Sequence, residues 1–269
     1  MKTNLCEIVI KSGGEMASGI AVRLYRAGFR DIVMLETPAP LAVRRAVSFC
    51  EAVHDGEQQV EGITARRADE PEAVRELWRQ GMLAVAVDPQ WTLISQLKPE
   101  MTIDAVLAKR NLGTHMDEAP LVVALGPGFT AGVDAHYVIE TNRGHNLGRV
   151  FAAGQAQPNT GVPGDIGGYT RERVLRAPVD GVVEPCKKIG DFVRAGEPVC
   201  VVNGVPVAAA IDGVLRGCIR PGTAARTGLK LADIDPRGAP ENCRTVSEKA
   251  RALGGAVLET LCAHRNRRE

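Results

Sequence analysis

A glycine turn near the start of the chain, Ser12-Gly13-Gly14-Glu15, offers the clearest chemistry. It follows an apolar run and precedes a helical pattern, and in dinucleotide-binding folds such a turn presents backbone N–H groups to a pyrophosphate at a helix N-terminus. Gly13 and Gly14 are therefore candidate cofactor-binding residues. Glu36 lies about twenty residues further on, where an acid accepts a hydrogen bond from a ribose hydroxyl. Ser12 stands where the first glycine of that pattern belongs, so the motif is imperfect.

Glu15 sets a condition on this candidate phosphate site. A carboxylate ~4 Å from a phosphate is repelled by roughly 4 kcal/mol at an effective dielectric of about 20. That exceeds the ~1 kcal/mol that a helix N-terminus usually offers an anion. Either Glu15 turns away and complements the helix dipole, or Mg²⁺ bridges Glu15 and the phosphate, or the ligand is not a plain pyrophosphate. A tight strand–helix turn without a ligand is the remaining alternative.

Two further motifs follow apolar strands in the middle of the chain. Gly126 and Gly128 form a glycine loop that is expected to shape a crevice at the carboxyl ends of the strands, unless it is a turn only. Glu140, Arg143 and His145 follow the next strand. Arg143 is a candidate for binding an anionic ligand, with Glu140 and His145 as candidate acid–base partners. The alternative is a single ion pair beside a surface histidine.

Charged residues at two other places extend the set of candidates. Asp104 and Lys109 flank another predicted strand end and would face the same crevice, which makes Lys109 a third catalytic candidate. Asp233, Asp235 and Arg237 could bind a metal ion, but a structural lock is favoured. No metal site is predicted from the cysteines, because all seven are scattered and none forms a CxxC pair.

Strand and helix patterns alternate along the first part of the chain. Because parallel strands joined by helices produce this alternation, it predicts a Rossmann-like, doubly wound α/β sheet over residues 1–168. A turn-rich segment at 155–168 is expected to be a linker or a binding loop. An apolar stripe predicts one more helix over 245–263 that packs back on the core. The strand patterns cover 5–10, 31–36, 83–87, 101–107, 121–125 and 137–139, and the helix patterns cover 15–26, 41–53 and 70–80.

Residues 172–240 contain an internal repeat with an offset of 32 positions and no gap. Asp180-Gly181-Val182 matches Asp212-Gly213-Val214, and three further pairs agree: Gly190 with Gly222, Val193 with Ala225, and Gly196 with Gly228. Two such halves predict a small all-β barrel-sandwich hybrid, the fold of biotinyl and lipoyl carriers. The hairpin that would join the halves, Val202-Asn203-Gly204-Val205, has a type I′ turn signature and no lysine. Neither biotin nor lipoate is therefore expected.

Composition excludes several classes of protein. Lys plus Arg number 33 and Asp plus Glu 32, so no global charge attracts nucleic acid or an anionic membrane. No run approaches the ~20 apolar residues that span a bilayer, and the first residues do not form a signal peptide. The odd number of cysteines also argues against a disulfide framework, and together these observations predict a cytoplasmic protein. A homo-oligomer is left open.

Eight strings of residues together resemble the accessory protein family of the selenium-dependent molybdenum hydroxylase system, often called YqeB-like, which is distantly similar to maturation factors of xanthine dehydrogenases. The resemblance spans about residues 8–262. At Ser12-Gly13-Gly14-Glu15 the family pattern has Gly-Ala-Gly-Asp, so the acidic residue is kept. The strings are Ile10–Gly19, Ala124–Phe129, Ile139–His145, Pro158–Gly164, Arg173–Pro178, Gly213–Gly217, Ala232–Arg237 and Lys249–Ala256.

The resemblance implies a bacterial maturation role: binding the molybdenum cofactor, its dinucleotide form or another nucleotide-containing cofactor, with an apo-hydroxylase as partner. Two alternatives stay open, an NAD(P)-dependent oxidoreductase that uses the same crevice and a non-catalytic scaffold. Whether any reaction is catalysed is also open. The crevice is expected to be lined by Gly13, Gly14, Glu15, Glu36, Gly126, Gly128, Glu140 and Arg143.

Overall fold

The computed structural model describes residues 6–267, which form two compact units. The first unit contains the chain up to Pro40, then Ser48–Asn159 and the segment from Val246 onward. The second unit contains Leu41–Val47 and Thr160–Thr245. Residues 160–168, which the sequence analysis placed in the first domain, therefore belong with the second unit.

The first unit is built on a nine-stranded sheet with the order β10-β9-β7-β6-β1-β2-β5-β4-β3. The inner strands are fully buried and rich in Val, Ile, Leu and Ala, as expected for parallel strands that are covered on both faces. The strands of this unit are β1 (Ile8–Lys11), β2 (Ile32–Glu36), β3 (Glu57–Val60), β4 (Ile63–Arg67), β5 (Leu83–Val87), β6 (Met101–Asp104), β7 (Leu121–Leu125), β8 (Thr130–Ala131), β9 (Tyr137–Ile139), β10 (Val150–Phe151) and β11 (Gly154–Gln155).

The pairing within this sheet is mixed. The seven strands from β9 to β4 pair in parallel, whereas β3 and β10 pair antiparallel at the two edges. The parallel strands end at one edge of the sheet. The register places Lys11 beside Asp104 at this edge, and the loops that follow β1, β6, β7 and β9 carry most of the candidate site residues.

In the described part of the first unit there are five α-helices: α1 (Glu15–Arg26), α2 (Ala52–Asp55), α3 (Pro71–Arg79), α4 (Thr92–Leu97) and α5 (Glu248–Asn266). The predicted helices at 15–26, 70–80 and 245–263 are confirmed as α1, α3 and α5. The helix predicted for 41–53 is wrong, because 45–51 holds two short 3-10 turns that lead into α2. Within residues 6–267, no helix is both long enough and apolar enough to cross a bilayer.

The predicted fold class is wrong. A doubly wound parallel sheet usually has a helix in each crossover. Here the connection from β6 to β7, residues 105–120, contains a three-residue 3-10 turn and no α-helix, and the connection from β7 to β9 contains the two-residue strand β8 and no α-helix. The hairpin of β3 and β4 also extends the sheet at one edge. The structure is a sheet-rich α/β fold with a mixed sheet, not a Rossmann-like domain.

The second unit consists of two four-stranded sheets with the orders β12-β19-β17-β14 and β16-β15-β13-β18. The prediction of a barrel-sandwich hybrid over residues 172–240 is also wrong, because this unit includes a segment from an earlier part of the chain. Val43 packs against Gly217, and the Arg45 side chain donates a hydrogen bond to the Cys218 carbonyl. The strands are β12 (Val174–Arg176), β13 (Gly181–Pro185), β14 (Phe192–Val193), β15 (Pro198–Val202), β16 (Val205–Ala208), β17 (Gly213–Cys218), β18 (Ala224–Ala225) and β19 (Lys230–Asp235).

The internal repeat is confirmed, and its two halves exchange hydrogen bonds. The Asp180 carboxylate accepts from the Thr227 N–H, and the Asp212 carboxylate accepts from the Ala195 N–H, each at 2.7 Å. Asp212 lies 32 positions after Asp180, and Ala195 lies 32 positions before Thr227, so the two hydrogen bonds are equivalent in the two halves of the repeat. The predicted hairpin is also observed: Asn203 and Gly204 have φ of 48° and 77° between β15 and β16, as a type I′ turn requires.

Candidate functional site

The glycine turn after β1 is closed by the acid at the end of β2. One oxygen of Glu36 accepts from the Gly13 N–H at 2.7 Å, and the other accepts from the Thr37 N–H at 3.0 Å. The Gly14 N–H bonds to the Ser12 hydroxyl at 3.1 Å. The structure thus brings Gly13, Gly14 and Glu36 together, but Glu36 holds the turn, and the Gly13 N–H is already bound to a protein carboxylate.

The two glycines after β7 serve close packing of loops. A Cβ on Gly126 would lie 2.7 Å from the Thr141 hydroxyl, and a Cβ on Gly128 would lie 2.5 Å from the Arg110 Cα. Both glycines have positive φ, 81° and 105°. They therefore let the loops after β6, β7 and β9 meet at the carboxyl edge of the sheet. Protein atoms, rather than a ligand, approach their backbone.

The catalytic candidates do not form an acid–base pair. Glu140 is fully buried, and its two oxygens accept from the N–H groups of Asn142 at 2.7 Å and Gln157 at 2.8 Å. Glu140 holds the loop after β9 in place, and both of its oxygens already accept a hydrogen bond, so neither is free to act as a base. His145 and Lys109 are exposed. The oxidoreductase alternative therefore gains no catalytic constellation from these three residues.

Lys249, which the sequence analysis did not single out, lies at the centre of the charged candidates. It is partly buried in the first turn of α5. Burial lowers the pKa of Lys249, and the positive charges of Arg143 and Lys109 lower it further, while Glu15 and Glu140 oppose the shift. Lys109, Arg143 and Lys249 are hereafter called the cationic cluster.

Arg143 and Lys249 differ in whether a protein acid is bonded to them. Arg143 forms an ion pair with Glu248, which is the first residue of α5. The Lys249 ammonium makes no hydrogen bond or ion pair with any residue between 6 and 267. A lysine so close to a helix N-terminus also meets the positive end of the helix dipole. Lys249 is thus a partly buried cation with two cations and two acids nearby, and within residues 6–267 no protein anion is bonded to it directly.

Helices α1 and α5 bring Glu15 and Lys249 to the same edge of the sheet. The helices run parallel, because Gly19 contacts Ala250 and Gly254 contacts Arg23. A Cβ on Gly19 would lie 2.5 Å from the Ala250 Cβ, so only glycine allows this approach. Both helices therefore begin near the loops that carry Lys109 and Arg143.

A second polar network, also missed from the sequence, lies under the same edge. Lys11 is fully buried at the end of β1. Its ammonium donates to the Thr114 hydroxyl at 2.7 Å and to Glu118 Oε1 at 2.6 Å, and Thr114 donates to Asp104 at 2.6 Å. Burial lowers the pKa of Lys11, against the opposing effects of Glu118 and Asp104. Asp104 lies at the end of β6 with Lys11 beside it, and its position in a ligand crevice stays a prediction.

The candidate residues in the second unit form a structural ionic network. Asp233 pairs with Arg173, and both side chains are buried. Asp235 accepts two hydrogen bonds from the Arg237 guanidinium, at 2.8 Å and 2.6 Å. Burial raises the pKa of Asp235, but Arg237 and Arg216 reverse the effect, so the net pKa lies below its ordinary value.

Within residues 6–267, no three His, Cys, Asp or Glu side chains are arranged to hold a metal ion. The acids near Lys249 are Glu15 and Glu140, and Glu140 already has its hydrogen bonds to backbone N–H groups. A Mg²⁺ ion bridged by Glu15 stays a prediction.

The comparisons with known proteins give one sequence relative. The chain is similar to "Uncharacterized protein YqeB" of Escherichia coli strain K12, with 49% identity over 254 residues. The match covers 94% of this chain and 47% of the relative, so the chain spans about half the length of that protein. No family model matches the chain. The YqeB-like resemblance is supported by this relative, whereas the link to a selenium-dependent molybdenum hydroxylase is not.

The solved structures that match are distant. TcdA (CsdL) matches with a TM-score of 0.30 and 11% identity, over 98% of this chain and 89% of that chain. A succinylglutamate desuccinylase/aspartoacylase from Rhodobacter sphaeroides gives 0.27 and 13%, over 85% of both chains. The product-bound ectoine utilization protein EutE (DoeB) from Ruegeria pomeroyi gives 0.24 and 11%, over 84% and 56%.

Proposed function

We propose that this chain binds a phosphate-bearing cofactor of the nucleotide type at the cationic cluster. The observation that carries the proposal is the position of Lys249. Burial, two neighbouring cations and the dipole of its own helix disfavour its charge, Glu15 and Glu140 offset these effects only in part, and it has no bonded protein partner in residues 6–267. A bound phosphate would give the ammonium an ion-pair partner and so offset these unfavourable effects.

The neighbouring groups suit an anion of this kind. Arg143 presents a planar guanidinium, which matches phosphate geometry, and Lys109 is exposed on the loop after β6. Glu15 limits what can bind, because a carboxylate close to a phosphate is repelled. The ligand is therefore expected to place its phosphate nearer Lys249 than Glu15. The turn around Gly13 is occupied by Glu36 and takes no part in the binding.

The test is isothermal titration calorimetry with inorganic pyrophosphate, CTP, GTP, ATP, NAD and NADP, on the full chain, on two site variants and on one control variant. Lys249→Gln and Arg143→Gln should each weaken the binding of pyrophosphate by about tenfold or more, because charged hydrogen bonds contribute roughly 1.5–3 kcal/mol. Arg66→Gln removes an exposed cation on β4 and is the matched control.

The outcomes separate clearly. Binding of pyrophosphate that Arg66→Gln leaves intact and that Lys249→Gln weakens by about tenfold or more supports the proposal. No binding of any of the six compounds, or binding that neither site variant weakens, refutes it. A nucleotide that binds more tightly than pyrophosphate would identify the class of cofactor.

The finer role proposed is that of an accessory protein in the maturation of a selenium-dependent molybdenum hydroxylase, and the family resemblance is its support. The cofactor would then be the molybdenum cofactor or its dinucleotide form, and the partner would be the apo-hydroxylase. Surface plasmon resonance with an immobilised apo-hydroxylase tests this role. Equal binding to the apo-hydroxylase and to an unrelated apo-flavoprotein would contradict it.

A further inference from the structure

A pocket of about 300 Å³ opens beside the buried network of Lys11. Helix α4 and the loop before β7 form its walls, so it lies in the first unit and is distinct from the cationic cluster. Its lining residues are Gln90, Trp91, Ile94, Ser95, Gly113, His115, Asp117 and Glu118.

Lys11 is not the reactive group of this pocket, because its ammonium already makes two hydrogen bonds and one cation–π contact within the protein. Two are donated to Thr114 and Glu118. The nitrogen also lies 3.7 Å from the centre of the Trp91 ring, which places a cation–π contact on that face of the indole. Lys11 instead holds Glu118 and Trp91 in position.

The two carboxylate oxygens of Glu118 differ, because one accepts hydrogen bonds and the other has no donor. Oε1 accepts from the Lys11 ammonium at 2.6 Å and from the His115 N–H at 3.4 Å. Oε2 is buried and has no hydrogen-bond partner, and the side chain is only 6% exposed. A buried carboxylate oxygen without a donor is rare in folded proteins. Glu118 lines the pocket, so a small rotation of its carboxylate would let a ligand in the pocket supply the missing donor to Oε2.

The charges around the pocket exclude an anion. The carboxyl groups of Asp104, Asp117 and Glu118 lie in the pocket wall or in the network around the Lys11 ammonium. The indole of Trp91 is partly exposed and offers an aromatic surface in the wall. It is held with a left-handed backbone, φ 59°, and its ring lies against Gly113. Strained residues of this kind cluster at ligand sites.

We propose that the Trp91–Glu118 pocket binds a small planar nitrogen heterocycle whose amino group donates a hydrogen bond to Glu118 Oε2. The ring would lie against Trp91, since aromatic rings attract one another beyond their buried area. The proposal is independent of the phosphate site and does not need it to be correct.

Matched pairs of small probes test the amino group. We expect 2-aminopyrimidine and adenine to bind about tenfold more tightly than pyrimidine and purine, as a charge-assisted hydrogen bond allows. Ligand-observed NMR titrations on the full chain measure these affinities. Equal binding within both pairs, or no binding of any probe, would overturn the proposal.

Two variants locate the binding. Glu118→Gln replaces the free acceptor with a donor and should remove the preference for the amino compounds. Ser95→Phe fills the exposed rim of the pocket and should weaken both members of each pair, without touching Glu118. Glu57→Gln, an exposed carboxylate on the edge strand β3, should change nothing. If Glu118→Gln fails to fold, retention of the amino preference in Ser95→Phe at full affinity would refute the site.

Discussion

Lys249 occupies a position that is unfavourable for folding, and for this reason we propose it as a binding residue. A cation in the first turn of a helix opposes the dipole, and here Arg143, Lys109 and partial burial add to the cost. Natural proteins keep such residues where function requires them, because stability and activity are traded against each other. The same reasoning separates Lys249 from Lys11, whose ammonium is fully bonded inside the protein.

Replacing Lys249 with Gln should therefore stabilise the protein at neutral pH while it weakens the binding of pyrophosphate. The pKa of Lys249 is lower in the folded than in the unfolded state, so the unfolded state binds more protons between the two values. The penalty is complete below the folded pKa and disappears above the ordinary value of 10.5. The gain of the variant should accordingly shrink as pH rises towards 10.5.

Urea denaturation of both proteins at pH 7 and pH 10 measures this difference in unfolding free energy. Lys188→Gln removes an exposed lysine and should give no such pH-dependent gain. A Lys249→Gln protein that is less stable than the parent at pH 7 would show that Lys249 is a structural residue.

At the scale of elements, the site depends on loops that approach each other at glycines. Gly126 and Gly128 bring the loop after β7 against Thr141 and Arg110. The loop that contains Arg110 also carries Lys109, so the packing at Gly128 determines where that cation stands. Glycine is needed at position 128 for a reason beyond its positive φ, because the contact with the Arg110 backbone leaves no space for a side chain.

Gly128→Ala should destabilise the protein and also weaken pyrophosphate binding. The new Cβ would lie 2.5 Å from the Arg110 Cα, and such overpacking costs about 1–3 kcal/mol in addition to the strain at positive φ. Gly56→Ala is the matched control, since Gly56 has a φ of 78° and open space around it. Calorimetric Tm and pyrophosphate titration check both variants. Equal losses in the two variants would mean that the contact with Arg110 is unimportant.

Local patterns predicted many of the elements and missed the hairpin of β3 and β4. The β3 sequence, Glu-Gln-Gln-Val, is polar and mostly exposed, so no apolar period identifies it. The segment 41–53 has helical periodicity, yet it forms short turns, and part of it belongs to the second unit. Tertiary contacts overrode propensity at both places.

At the scale of the whole molecule, charge is almost balanced. Lys plus Arg exceed Asp plus Glu by 33 − 32 = 1, so no long-range field attracts an anionic ligand. Any affinity for phosphate must come from the local arrangement of Lys109, Arg143 and Lys249. That arrangement requires parts of the chain that are far apart in sequence.

The affinity for pyrophosphate should therefore fall only moderately with salt. Between 50 and 500 mM KCl we expect a loss of about three- to tenfold, because screening at these concentrations acts on the exposed members of the cluster more than on Lys249. Titrations in KCl at fixed pH measure this dependence. A loss of about a hundredfold or more would point to a larger cationic surface than the cluster.

By itself, the sequence determined the buried strands, helices α1, α3 and α5, the 32-residue repeat and the Asn-Gly hairpin, since each depends on neighbouring residues or on a short period. Only the tertiary structure decided that Glu36 closes the glycine turn, that Lys249 joins Arg143 and Lys109, and that Glu118 reaches Lys11 from 107 positions away. Such contacts are set by the strand order and by the parallel packing of α1 and α5. No local pattern of residues encodes them.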